Sequence, residues 1–195
     1  MPHYSDETPR EDFPIVIRWN NENLQFTSSA GMFSKEGLDR GTAVLLEHMQ
    51  LPATGRALDL GCGIGVVGII VKRTNPKLSV TQSDVTVKAR HLTYRNTKST
   101  GTSTRVVRGD CYEKVMDEKF DIILLNPPRA AGKEKILKMI SEAPEHLNVG
   151  GSLQLVALTN KGGKSYETMM SDAFGNVEKI GRGSGFSVYK SVRNE

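Results

Sequence analysis

Three features of this sequence predict an α/β fold, an open and mostly parallel seven-stranded sheet with helices on both faces. Short apolar runs of strand length alternate with segments of helical period from residue 57 to residue 174, the pattern of a parallel sheet buried between helices. A glycine-rich stretch, 61–68, joins the first of these strands to the first of these helices. The last two strands, 176–180 and 186–190, are linked by Gly181-Arg182-Gly183-Ser184-Gly185. So short a link permits only an antiparallel return, which makes the C-terminal strand antiparallel.

In chain order, residues 1–14 carry Pro2, Pro9 and many charges and read as a loose tail ending at Pro14. Residues 15–19 and 24–27 read as two strands around the turn Asn20-Asn21-Glu22-Asn23, a short N-terminal β-hairpin. A hairpin this small must pack on the rest of the chain. Residues 15–195 therefore form one domain, with hairpin and loop over 15–33 and the main sheet over 34–195. From residue 34 the period is helical, with Leu38, Val44, Leu45, Leu46 and Met49 on one face until Pro52 stops it. Strands come next at 57–60, 78–83, 104–108, 120–125 and 152–157. Helices are expected at 65–73, 85–97, 133–146 and 165–174.

A chain of 195 residues buries roughly 70% of its unfolded surface and needs neither disulfide nor structural metal to fold. Its two cysteines, Cys62 and Cys111, form no disulfide framework and no zinc spacing. His3, His48, His91 and His146 show no ligand spacing either, so no metal site is expected. The N-terminus lacks the basic start and apolar stretch of a secretory signal, and no apolar run is long enough to span a bilayer. These features point to the reducing cytoplasm. The net charge of +4 is a mild bias toward an anionic partner.

In open sheets of this kind ligands sit beyond the carboxyl ends of the strands, here just after Leu60, Ser83, Arg108 and Leu125. Gly63-Ile64-Gly65-Val66-Val67-Gly68 fits the dinucleotide pattern G-x-G-x-x-G, which keeps a nicotinamide-dependent oxidoreductase open. Asp59, however, stands immediately before the loop, and an acid there suits a cationic or amine-bearing ligand better than a pyrophosphate. Asp84 ends the second strand, where an acid binds ribose hydroxyls. Asp110 comes after the third strand, placed to meet an adenine amine. Each acid alone reads as a cap or loop residue; three at successive strand ends form a constellation. At the end of the fourth strand stands Asn126-Pro127-Pro128. An exocyclic amine there can give one hydrogen bond to the Asn126 side-chain oxygen and another to the Pro127 carbonyl, aiming its lone pair at an electrophile.

Asp59-Leu60-Gly61-Cys62-Gly63-Ile64-Gly65 together with Asn126-Pro127-Pro128 resembles the Rossmann-like class I S-adenosylmethionine-dependent methyltransferases. Gly31-Met32-Phe33-Ser34, Leu38-Asp39-Arg40-Gly41-Thr42 and Lys161-Gly162-Gly163-Lys164-Ser165 narrow the likeness. Over about residues 24–192 the chain is similar to the "methyltransferase small" family, which includes bacterial 16S rRNA guanine-N2 methyltransferases and shorter archaeal single-domain relatives. The resemblance implies S-adenosylmethionine held by Asp59, Gly61, Gly63, Gly65, Asp84, Asp110 and Asn126. It implies methyl transfer to an exocyclic amine of RNA, guanine N2 of rRNA or tRNA, at Asn126, Pro127 and Pro128. Relatives with this motif often carry an aromatic after Asn-Pro-Pro; here Arg129 stands there, and an arginine plane can stack on a base or hold a phosphate. That departure argues against a protein-glutamine or adenine substrate. Phe33 either supplies a ring to the substrate or plugs the core beneath the hairpin. Lys133, Lys161 and Lys164 are candidates for phosphate contact. The larger bacterial relatives carry a second domain, so this chain is expected to act as a monomer or homodimer. The alternatives are methylation of a protein or small molecule, the nicotinamide enzyme, and a non-catalytic binding module.

Overall fold

The computed structural model describes residues 11–32, 37–127 and 131–195. Its first element is a two-stranded antiparallel ribbon, β1 (Asp12–Trp19) and β2 (Glu22–Ser29). Asn20 and Asn21 close it with φ of 47° and 64°; asparagine tolerates this region, and two such residues give the tight turn whose twist suits a hairpin. The ribbon is longer than the sequence suggested, because Asp12, Phe13 and Pro14 pair with Ser29, Ser28 and Thr27. Both strands of a two-stranded ribbon are edges, so the missing N–H of Pro14 is accommodated. Ile15, Ile17, Leu24 and Phe26 turn inward and are buried, whereas Val16 on the alternate face is exposed.

The main sheet has seven strands: β3 (Gly55–Leu60), β4 (Leu78–Asp84), β5 (Arg105–Arg108), β6 (Phe120–Leu125), β7 (Leu147–Leu158), β8 (Glu178–Gly183) and β9 (Phe186–Val192). Their order is β5-β4-β3-β6-β7-β9-β8, with β9 antiparallel to both of its neighbours and the rest parallel. The helices are α1 (Arg40–His48), α2 (Val66–Thr74), α3 (Val87–Ser99), α4 (Gly132–Ser141) and α5 (Lys164–Phe174). One apolar core holds residues of the ribbon, α1, α2 and α3 against Ala57, Val80, Ile122, Leu124 and Val156. The other holds α4 and α5 residues against Leu58, Leu60, Ile123, Leu125 and Leu155. Neighbouring strand residues thus serve opposite cores, as the pleat requires.

Several element boundaries depart from the sequence reading; β7, for example, starts at Leu147 and not at 152, and β8 runs over Glu178–Gly183 and not 176–180. Three helix boundaries have a local cause. Of the helix expected from residue 34, residues 34–36 lie outside the described residues; α1 itself starts at Arg40, because Asp39 accepts from the N–H groups of Gly41 and Thr42 and caps its first turn. The helix expected over 133–146 is interrupted: α4 ends at Ser141 and a turn of 3-10 helix runs over Ala143–His146. Pro144 is the cause, having no N–H and clashing with the carbonyl four residues back. The α3 helix begins at Val87 rather than 85, since the Thr86 hydroxyl caps Ala89 N–H.

After β3 the chain steps outward through β4 and β5, then returns to lay β6 on the other side of β3. That reversal is the topological switch, where an open sheet leaves a crevice beyond its strand ends. Register fixes what lines it: Leu60 pairs with Leu125 and with Ser83, and Asp84 with Arg108. The glycine loop, Asp84 and Asn126 therefore emerge abreast.

Candidate active site at the sheet switch point

Gly61, Gly63 and Gly65 have φ of 75°, 58° and 87°, a left-handed run that residues with a Cβ rarely adopt. A Cβ on Gly63 would meet nothing within 4 Å, so the loop leaves open space on that side, a cradle for a ligand lying on the backbone. Gly68 is required for a different reason: a Cβ there would lie 2.5 Å from the Gln82 side chain on β4. Its absence lets α2 press close on the sheet. Most amides of the loop are already engaged. Gly61 and Cys62 N–H donate to Ser83 O (2.8 and 3.0 Å), Gly63 N–H to Asp84 Oδ2 (3.0 Å), Gly65 N–H to Cys62 O (2.8 Å) and Gly68 N–H to Asp59 Oδ2 (2.9 Å). A pyrophosphate cradle needs such amides free. Here they hold the loop's own shape, and an acid occupies the first turn of α2. The arrangement suits a ligand that brings hydrogen-bond donors and positive charge.

Asp59 is buried, only 4% exposed, and burial pushes its carboxyl up to about 7, against the lowering effect of the Gly68 N–H. Asp84 is half-buried and stands at the rim. Its Oδ2 takes Gly63 N–H, and its Oδ1 accepts from Thr86 N–H (2.9 Å) and the Thr86 hydroxyl (3.2 Å). It thus joins the loop to the start of α3 and keeps one lone-pair site, on Oδ2, for a further donor. Asp110, beyond β5, forms an ion pair with Lys135 of α4 (Lys135 Nζ to Asp110 Oδ1, 2.8 Å), and that hydrogen bond holds its carboxyl below the usual range. Burial, then the charges of Asp59 and Asp84, push the Cys62 thiol up; a neutral thiol is no nucleophile.

Asn126 and Pro127 come directly after β6, both half-buried. Asn126 Nδ2 donates to Thr42 Oγ1 (2.9 Å), and the Thr42 hydroxyl contacts Asp39 Oδ2. Among the described residues no group donates to Asn126 Oδ1. Pro128, Arg129 and Phe33 lie outside the described residues. Lys133 opens α4 and Lys164 opens α5, both exposed. Lys161 falls in the π-helical turn Thr159–Gly163 that leaves β7. All three lysines thus lie past the carboxyl ends of β6 and β7.

Sequence reasoning gave no role to four residues that hold these groups. Thr93 donates to Gly63 O (2.9 Å) and lies 3.6 Å from Cys62 Sγ. Asn96, fully buried, donates to Ile64 O (2.9 Å) and Thr27 O (3.0 Å) and accepts from Thr27 N–H (2.7 Å). Polar residues on the same helix face as Ala89 and Leu92 are the signal that reveals them. For Asp39 the signal is an aspartate before a helical period. Thr42 lies in the Leu38–Thr42 stretch that narrows the family likeness, but no local pattern gives it a role, since its partner is 84 residues away.

A family model described as Methyltransferase small domain matches residues 23–190. The chain is 36% identical over 194 residues to ribosomal RNA small subunit methyltransferase C of Pseudomonas entomophila (strain L48), covering 96% of this chain and 54% of that one. It is 35% identical over 179 residues to the protein of the same name from Hamiltonella defensa subsp. Acyrthosiphon pisum (strain 5AT), covering 90% and 52%. The chain thus spans about half the length of the curated relatives it matches. Among solved structures it is similar to a T. thermophilus 16S rRNA N2 methyltransferase in complex with AdoMet and guanosine, with a TM-score of 0.84, 20% identity and 95% and 52% coverage. A methyltransferase from Pyrococcus furiosus has a TM-score of 0.67, 22% identity and 77% and 81% coverage.

Proposed function

Because the chain belongs to the methyltransferase small domain family, we propose that it is an S-adenosylmethionine-dependent methyltransferase acting on guanine N2 in ribosomal RNA. The observation that carries this reading is the pairing across the switch point. A glycine cradle backed by acids on β3 and β4 stands abreast of an amide directly after β6 whose nitrogen is already engaged. Relatives named for small-subunit rRNA favour that RNA over tRNA.

The residues fit the cofactor. The open side of Gly63 accommodates it, the remaining Oδ2 lone pair of Asp84 suits a ribose hydroxyl, Asp59 favours the cationic end, and Asp110 suits an adenine amine. When bound, S-adenosylmethionine supplies an electrophilic methyl group on a sulfonium. Asn126 Oδ1 and the Pro127 carbonyl accept the two N–H groups of the incoming amine and direct its lone pair. Both acceptors bind more strongly as the nitrogen becomes positive, so they contribute to rate rather than to ground-state affinity. Lys133, Lys161 and Lys164 meet flanking phosphates.

Transfer of tritium from labelled methyl donor to total RNA, total protein and nucleosides tests the reading. N2-methylguanosine in digested rRNA is the expected product. Label confined to protein, or to tRNA, overturns the substrate; binding of NAD but not of S-adenosylmethionine overturns the class.

A further inference from the structure

An amide has two unlike ends. Presented by its oxygen, Asn126 takes a nucleophile that brings N–H groups; presented by its nitrogen, it takes one that brings a lone pair, such as a ring nitrogen or a keto oxygen. Which end faces the crevice is settled by two residues that precede the sheet, Thr42 and Asp39. Thr42 is 2% exposed, and its hydroxyl has one proton to give. That hydroxyl lies against Asp39 Oδ2 and against Asn126 Nδ2, the latter at 2.9 Å. An ionised carboxylate can only accept, so the Thr42 proton goes to Asp39. The hydroxyl then has only lone pairs left for Asn126, and only the NH2 end of the amide can meet them. Turning the amide over would set two oxygens against each other with no proton between them.

The anchor of this relay is built for a carboxylate. Asp39 accepts from Gly41 N–H (3.0 Å) and Thr42 N–H (3.1 Å), at the helix end where negative charge is favoured. Gly41 leaves room for it: a Cβ there would come within 3.2 Å of Asp39 Oδ1 and 3.0 Å of the Phe186 ring. Beyond the far end of α1, Gln50 N–H donates to Gln154 Oε1 (2.9 Å) and Gln154 Nε2 donates to Gln50 O (2.9 Å), tying the segment to β7. The helix cannot slide without breaking one set or the other.

We propose that Asp39 and Thr42 are a positioning pair that holds the Asn126 carbonyl toward the acceptor and thereby selects a primary amine as nucleophile. This rests on the methyltransferase reading of the site and adds the origin of its preference for an N–H donor.

Three substitutions and two readouts test it. Thr42→Val keeps shape and removes the relay. We expect single-turnover transfer to fall about 30-fold, as when a positioned polar group loses its orientation. KM for RNA and affinity for S-adenosylhomocysteine should stay within twofold. Thr42→Ser, which restores the hydroxyl, should return to within about threefold of wild type. Asn126→Asp alone sets two carboxylates on one hydroxyl proton. Adding Asp39→Asn reverses the relay, and the double variant should transfer at least about fivefold faster than Asn126→Asp. Independently of catalysis, hydrogen exchange at the Asn126 side-chain amide, followed by nitrogen-15 NMR on the protein alone, should accelerate about tenfold in Thr42→Val. Wild-type transfer in Thr42→Val, or Thr42→Ser as slow as Thr42→Val, overturns the proposal. So does unchanged amide exchange. If the wild type methylates no RNA amine, the functional reading fails, while amide exchange still decides the relay.

Discussion

The two halves of the crevice are held by different means. Beyond β3 and β4 the groups are fixed mainly by backbone: Asp59 and Asp84 accept from amides of the loop, of the first turn of α2 and of Thr86, the residue that caps α3. Beyond β6, Asn126 is fixed by side chains, through Thr42 to Asp39 on a helix that precedes the sheet. Backbone amides cannot turn over, whereas an amide side chain can. The first half is therefore rigid as soon as the strand–loop–helix unit forms, and the second acquires its orientation only once α1 docks. A substitution in the first half should act on cofactor affinity, and one in the second on turnover.

Asn126→Ala probes that division most severely. Cofactor affinity should hold while single-turnover transfer falls roughly a hundredfold or more, the loss typical of one preorganised polar group at a reacting centre. Equal rates for wild type and variant would break the comparison outright. Asp84→Ala is its counterpart. Calorimetry should show S-adenosylmethionine affinity reduced by about 1.5–3 kcal/mol for the lost charge-assisted bond, with residual turnover at saturation. Asp59→Asn sharpens the backbone half through pH. With its carboxyl at about 7 instead of 3.8, the folded protein retains a proton that the unfolded chain has released. The stability that the neutral form provides is full below 3.8 and is lost as pH rises through 7. Asp59→Asn escapes that loss, so its advantage in urea unfolding should grow by about 1 kcal/mol or more between pH 5 and pH 8, one pKa unit being worth about 1.4 kcal/mol. Wild-type cofactor affinity should rise over the same range as Asp59 ionises, while that of Asp59→Asn stays flat. The smallest effects belong to the rim. Lys133→Ala, Lys161→Ala and Lys164→Ala should each reduce the salt slope of RNA binding by about one unit per lost phosphate contact. Slopes unchanged in all three would move the RNA to another face.

The same division governs what could be read from residues alone. The sheet, the switch point and the glycine loop were legible because period, glycine spacing and strand-end acids are local signals. The ends of elements were less so, as Asp39 and Pro144 show. Asn126 stood out by its prolines, but nothing near it in sequence announces Thr42, and no local pattern encodes the direction of a hydrogen bond. The acids were legible as acids and not as structural members: that Asp59 would spend one oxygen on Gly68 N–H, or Asp110 meet Lys135, depends on how α2 and α4 lie on the sheet.

Asn96 joins the ribbon to the glycine loop through one fully buried amide. The ribbon also carries the only tryptophan of the sequence, Trp19, half-buried against the core with its indole N–H enclosed. The molecule thus has a built-in optical reporter. Undocking of the ribbon would wet the indole and shift its emission to the red, and a ligand that tightens the loop would draw the emission toward the blue. Titration with S-adenosylhomocysteine can therefore be followed by intrinsic fluorescence without a label, and Asn96→Ala should uncouple the signal from the loop.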